Sequence, residues 1–389
     1  MLTIISATGA KIMAFIHELP NWPNLSWDMQ ALGATLSSVR HKQGKHLGKM
    51  EALGFELRTE ASVTALTSEI VQSSAIEGER LDTDEVRSSI ARKLGLDVAG
   101  LPKPGRRVEG VVEMTLDATR NFERPLTEER ICDWHAALFP TGRSGMQRIT
   151  VGAWRTGEHG PMQVVSGPMG KERVHFQAPD AGRLADEMRQ FLDWFNRSSG
   201  TDPVLKAGVA HLWFVTIHPF DDGNGRIARA IADMALSRAD GSKDRFYSMS
   251  SGIEAERQEY YLQLESAQRG SLDVTSWLAW FLGCLDRAID ASDSLLGSVL
   301  RKARLWQRIN ARPVSERQRT IINRMLEHDW KGHLNTSKYA RLAKCSQDTA
   351  LRDIQELLEL GVLVKNEGGG RSTSYRLADP REMRSRSDT

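Results

Sequence analysis

His218-Pro219-Phe220-Asp221-Asp222-Gly223-Asn224-Gly225-Arg226-Ile227-Ala228-Arg229 is the stretch that decides how the rest of the chain reads. It packs an imidazole, a carboxylate, an amide between two glycines, and two arginines into twelve residues, a mixture that few structural needs ask for. Ala210–Ile217 before it is apolar enough for a buried helix, and Ile227–Leu236 after it is strongly helix-forming. The run is therefore expected between two core helices. Glycine lets backbone N–H groups approach an anion closely where a turn opens a helix, so the run reads as a polyphosphate cradle.

The chemistry follows residue by residue. His218, with an ordinary pKa near ~6.5, can take a proton from an attacking hydroxyl. Asp222 is a hard oxygen ligand suited to Mg²⁺, which binds through one or two carboxylates and the phosphates themselves. Backbone N–H groups around Gly223 and Gly225, at the positive end of the next helix, would hold a phosphate, and Asn224 can donate to the same group. Arg226 and Arg229 are three apart and share a helical face, presenting two guanidinium forks toward terminal phosphates. Metal and arginines together would stabilise a leaving pyrophosphate.

This run resembles the signature of the Fic family, His-x-Phe-x-(Asp/Glu)-Gly-Asn-Gly-Arg-x-x-Arg, and matches it at every defined position. The resemblance implies a mainly α protein: an all-helical Fic core with a β-hairpin flap, a helical N-terminal region and a C-terminal winged helix-turn-helix. It implies AMP transfer from ATP to a Ser, Thr or Tyr hydroxyl of target proteins and of the chain itself, with His218 as base and Asp222 holding Mg²⁺. Gly223, Asn224 and Gly225 would form the anion hole around the α-phosphate, Arg226 and Arg229 would hold the β- and γ-phosphates, and Phe220 would fix the loop in the core.

Far upstream, Ser73-Ser74-Ala75-Ile76-Glu77-Gly78 resembles the family's inhibitory helix, (Ser/Thr)-x-x-x-Glu-(Gly/Asn). That likeness implies Glu77 paired with Arg229, so that the γ-phosphate loses its partner and meets a carboxylate. Removal of AMP is also known within the family when the inhibitory glutamate positions a water. Met162–Ser166 and Arg173–Phe176 flank Gly167-Pro168-Met169-Gly170-Lys171, a hairpin signal. Resemblance places this hairpin at the Fic flap, where target segments pair with an exposed strand. Val164, Val165, Ser166 and Gly167 would then lie near ATP. Tyr260-Tyr261 and Gln268 are similar to the family's adenine-pocket helix. A homodimer is implied by resemblance alone.

With 389 residues the chain has room for two or three domains, and its net charge is only +2. No run approaches the ~20 apolar residues that cross a membrane. Cys132, Cys284 and Cys345 are widely separated and lack metal spacing, the pattern of reduced thiols in a cytosolic protein. Leu32, Leu36 and Val39 mark one N-terminal helix, and Leu57 through Ile70 a second running toward Glu77. Thr127, followed by Glu128 and Glu129, opens a helix as a cap, and Leu184, Met188, Phe191, Leu192 and Phe195 form an amphipathic stripe. Expected boundaries are 1–104 for the N-terminal region, 105–300 for the catalytic domain and 301–389 for the winged helix. From residue 300 onward there are 19 Lys/Arg against 11 Asp/Glu, a basic segment hidden by the near-neutral total. There Ser346 would cap a recognition helix exposing Gln347, Thr349 and Arg352, with Arg371 on the wing. DNA and protein are both open as its partners. The alternative to an enzyme is a DNA-binding transcriptional regulator that senses nucleotide; a sensor would not need the base His218.

Overall fold

The computed structural model describes residues 4–5, 11–12, 14–96, 101–158, 160–167, 171, 173–197, 200–309, 314–326, 330, 332–366 and 373–378. Two compact units result, Met1–Ser292 and Asp293–Thr389. In the first, the short strands β1 (Ile4–Ile5) and β2 (Lys11–Ile12) pair antiparallel ahead of the helices. Asp28 accepts from the backbone N–H of Gln30 and Ala31 and so caps α1 (Met29–Glu51), which buries Leu32, Leu36 and Val39. Next come α2 (Phe55–Ile76), α3 (Thr83–Lys93), α4 (Arg106–Arg120) and α5 (Glu128–Leu138). Thr127 caps α5 by accepting from Arg130 N at 3.2 Å. After the minor hairpin β3 (Arg143–Ser144) and β4 (Gln147–Arg148), β5 (Gln163–Ser166) and β6 (Arg173–Gln177) form an antiparallel ribbon with a register shift at Val164/Val165. The turn residues 168–170 lie outside the described residues.

Helices α6 (Leu184–Asn196), α7 (Pro203–Ile217), α8 (Asn224–Asp240), α9 (Met249–Ala255), α10 (Arg257–Gln268) and α11 (Thr275–Ile309) follow. The stripe of α6 buries Leu184, Met188, Phe191 and Phe195. Asp202 caps α7 and Pro203 occupies its first position, where the missing N–H costs nothing. From Val204 to Ile217 only Lys206 escapes burial, so α7 is the central rod of the unit. Its most extensive neighbour is α8, while α2 lies against both α8 and α9. The core runs continuously from Leu32 and Val39 through Ile70 and Ile76 to Phe214, Ile231 and Leu285. The N-terminal helices and the central ones therefore share one hydrophobic interior, which brings the end of α2 to the start of α8.

In the second unit, Ser315 and Gln318 form a reciprocal cap on α12 (Glu316–Met325). Next come α13 (Thr336–Leu342) and α14 (Gln347–Glu359), the latter capped by Ser346. Strands β7 (Leu363–Lys365) and β8 (Tyr375–Leu377) pair antiparallel, and Leu334 bridges to Tyr375. This is the expected winged helix-turn-helix, with Ile321, Ile322, Tyr339, Ile354 and Leu357 at its core. Gln347 and Arg352 are exposed on α14 and Thr349 is half-buried; Arg371 lies outside the described residues. Cys132, Cys284 and Cys345 are free thiols. Among the described residues no helix is long and apolar enough to cross a membrane.

Candidate active site

The loop between α7 and α8 is built from a reversal of the chain. His218 ends α7 in the left-handed region, with φ 51° and ψ 57°, at a cost of about 1 kcal/mol for a residue with a Cβ. One residue, Arg155, secures that conformation with two hydrogen bonds. The His218 carbonyl accepts from Arg155 Nε at 2.8 Å, and the Pro219 carbonyl accepts from Arg155 N at 2.8 Å. His218 Nδ1 lies 3.1 Å from the Val215 carbonyl, an oxygen that can only accept, so Nδ1 carries the proton and Nε2 is left as the basic nitrogen. Burial lowers the His218 pKa to about 4, so the ring is neutral at pH 7.

Phe220, fully buried, stacks on His135 with ring centroids 4.0 Å apart and planes 3° from parallel. His135 accepts from Gly152 N at 3.1 Å through Nδ1, which leaves Nε2–H to donate to the Asp222 carbonyl at 3.2 Å. The buried Asn224 side chain closes the loop: Oδ1 accepts from Phe220 N at 3.0 Å and Nδ2 donates to the Phe220 carbonyl at 2.8 Å. The sequence reading has Asn224 donating to a phosphate, whereas here both ends of its amide hold Phe220. Gly223 precedes α8 at φ 83°, and a Cβ there would meet the Phe139 ring at 2.9 Å. Asp222 keeps 43% of its side chain exposed, takes a hydrogen bond from the Ser144 hydroxyl, and lies 4.0 Å from Arg226 Nη2.

Arg226 and Arg229 leave α8 as buried side chains, 6% and 3% exposed. Both face α2 and the turn that follows it. Arg229 Nε donates to Ser73 Oγ at 2.9 Å, and its Nη2 donates to the Ser73 carbonyl and to Glu77 Oε1, each at 2.8 Å. Burial opposes the Arg229 charge most strongly, but the Glu77 carboxylate together with Tyr260 and Tyr261 outweighs it, holding the pKa above its ordinary value. Glu77 Oε1 occupies the place a Cβ on Gly225 would take, over the first turn of α8. A carboxylate thus already sits where the helix N-terminus favours an anion.

The other expected residues divide. Tyr261 Oη donates to the Ile76 carbonyl at 3.2 Å and so touches the end of α2. Tyr260 is buried, its hydroxyl 2.9 Å from His211 Nε2. Gln268 is also buried, with Nε2 3.4 Å from Thr216 Oγ1. All four residues of β5, including Val164, Val165 and Ser166, are exposed. β6 is anchored instead: Glu265 of α10 binds His175 Nδ1 at 2.7 Å and Arg173 at 2.9 Å, while Arg269 donates to the Val174 and His175 carbonyls. Arg155, His135 and Glu265 carry this architecture but stand outside any motif; Trp154-Arg155, a buried cation beside an aromatic in a loop, gives only a faint signal.

A cleft of about 530 Å³ opens beside the loop, lined among others by Glu77, Glu79, Arg107, Ser144, Asp222 and Arg226. Among the described residues no group of three or more His, Cys, Asp or Glu could hold a metal by itself. The exposed Asp222 carboxylate on this cleft still fits the sparse protein contribution that Mg²⁺ takes when phosphates supply the remaining ligands.

The Fic/DOC family matches residues 125–236, a domain of unknown function (DUF4172) matches 15–96, and a DeoR-like helix-turn-helix domain matches 317–376. The "Protein adenylyltransferase Fic" of Drosophila willistoni is 35% identical over 114 residues, covering 29% of this chain and 21% of that protein. The protein of the same name from Drosophila virilis is 34% identical over 114 residues, covering 29% of this chain and 22% of that one. The matched stretch thus spans about a fifth of those relatives. A crystal structure of a Fic family protein from Desulfovibrio desulfuricans G20 shares the fold, with a TM-score of 0.52 and 20% identity over 92% of this chain and 98% of that one. Signature loop and family match together identify a Fic/DOC-type domain over residues 125–236, and the solved structure shares its helical fold.

Proposed function

We propose that the chain is an ATP-dependent protein adenylyltransferase held in an inhibited state by Glu77. One observation carries the reading: the basic nitrogen of His218 is ready while Arg229, the terminal cation of the signature, is taken by Glu77 at 2.8 Å. The Drosophila relatives bear the name of that activity, which supports ATP as the nucleotide. In the reaction, His218 Nε2 removes the proton from a target hydroxyl. That oxygen bonds to the α-phosphorus, the bond from phosphorus to the bridging β-oxygen breaks, and pyrophosphate leaves. Asp222 would hold Mg²⁺ together with the phosphates, and the ion would neutralise charge on the leaving group. Backbone N–H groups at the start of α8 hold the α-phosphate in place, and Arg229, once released, takes the γ-phosphate. The exposed β5 supports docking of an extended target segment by main-chain pairing.

Purified protein incubated with labelled ATP tests this. Glu77→Gly should raise self-labelling at least ~tenfold, the effect of freeing one charge-assisted phosphate contact. Adding His218→Ala should lower it by ~10²–10⁴. Absence of labelling in the Glu77→Gly protein would sink the proposal. The DeoR-like match and the exposed Gln347 and Arg352 support a second property, DNA binding by the C-terminal unit. A salt-dependent gel shift that disappears on removing residues 310–389 would establish it.

A further inference from the structure

Helix α2 ends in a Schellman turn: Gly78 stands at φ 80°, Gly78 N donates to the Ala75 carbonyl at 2.8 Å, and Glu79 N donates to the Ser74 carbonyl at 2.9 Å. This turn projects two carboxylates toward α8. Glu77 takes Arg229, and Glu79 takes the other signature arginine, Arg226, whose Nη1 donates to Glu79 Oε2 at 2.8 Å. The second Glu79 oxygen pairs with Arg107, from the first turn of α4. One carboxylate, only 11% exposed, is thus bracketed by two guanidinium groups from different helices.

Arg226 lies over the Phe139 ring at 5.1 Å, and its buried Nε has no hydrogen-bond partner among the described residues, so its donor capacity there exceeds what Glu79 uses. The cleft around them carries Arg107, Arg143 and Arg226 against Glu77, Glu79 and Asp222. With the two glutamates withdrawn, three cations would face one carboxylate. That balance suits a highly charged phosphate tail and no neutral or cationic ligand.

We propose that Arg107 and Arg226 form a polyphosphate-binding site that Glu79 fills in this state, making Arg107 a nucleotide-binding residue outside the signature and Glu79 a second brake beside Glu77. The inference rests on the adenylyl-transfer reading and deepens it by naming the residues that meet the phosphate tail.

The test is calorimetric titration of the full chain with ATP and with AMP, which lacks the terminal phosphates. In the Glu77→Gly protein, Glu79→Gln should tighten ATP about tenfold and leave AMP unchanged. Adding Arg107→Ala should weaken ATP by about the same factor, again without touching AMP, and Arg107→Lys should recover part of the loss. Arg107 is largely exposed, so its replacement spares the core. Equal effects on ATP and AMP, or no effect on either, would overturn the inference while leaving the enzyme reading intact. Failure of the Glu77→Gly protein to bind ATP at all would overturn both.

Discussion

The loop from His218 to Arg229 and the strand β5 are built on opposite principles. In the loop, internal partners fix the backbone: Arg155 holds the His218 and Pro219 carbonyls, Asn224 holds Phe220, and His135 holds the Asp222 carbonyl while stacking on Phe220. β5 pairs only with β6 among the described residues, and each of its four residues is exposed. The first arrangement fixes reacting groups in advance, so nothing need reorganise as charge develops. The second leaves backbone donors and acceptors on an exposed strand, and the target segment proposed to pair with it would owe little of its affinity to its side chains. On the proposed reading, chemistry is preset here and recognition is left open.

The contrast would break most visibly at Asn224. Asn224→Ala leaves a buried N–H and carbonyl of Phe220 without partners, each costing about 1–3 kcal/mol. Thermal unfolding without nucleotide should therefore occur at a clearly lower temperature than for the parent. If only phosphate contact were lost, the nucleotide-free midpoint would not move. A smaller effect is expected at the flap. Glu265→Ala frees His175 and Arg173 from α10 and should raise KM for a protein substrate roughly fivefold, about 1 kcal/mol, with ATP affinity unchanged. A parallel loss of ATP affinity would show that the ribbon belongs to the nucleotide site instead.

Smallest of all should be the response to mild acid. A histidine with the ordinary value near ~6.5 loses about threefold of its neutral form between pH 7 and pH 6. Burial holds His218 at about 4 in the folded protein, so its neutral, proton-accepting form persists through that interval and is lost only as pH falls toward 4. The acid limb of kcat/KM for self-labelling by the Glu77→Gly protein should accordingly lie well below pH 6; a limb near 6.5 would mean that the loop opens to water during turnover.

How much of this could be read from the chain depends on whether a residue works through its neighbours in sequence or across the fold. His218, Gly223 and the pair Arg226/Arg229 were legible because one helix start dictates their spacing. The helices capped by Thr127 and Ser346 were legible for the same reason, since a cap and its first turn are local. Glu77 needed a second motif to be noticed. Arg155, His135 and Glu265 were not legible: each acts on a partner at least 63 residues away, and one buried cation or imidazole looks like any other in sequence. Glu79 was hidden differently. It stands two places beyond Glu77, but its meaning depends on the direction a glycine turn gives it.

That turn has an electrostatic consequence. The C-terminus of a helix is the negative pole of its dipole, where cations are favoured and each carboxylate is unfavourable by about 0.3–1 kcal/mol. Here α2 ends in Glu77-Gly78-Glu79, with no basic residue in its last turn. Arg229, Arg226 and Arg107 supply from outside the positive charge that the helix end lacks. A phosphate chain that claimed those guanidinium groups would leave two like charges stranded at the wrong pole, so on the proposed reading filling the pocket would also loosen the final turn of α2.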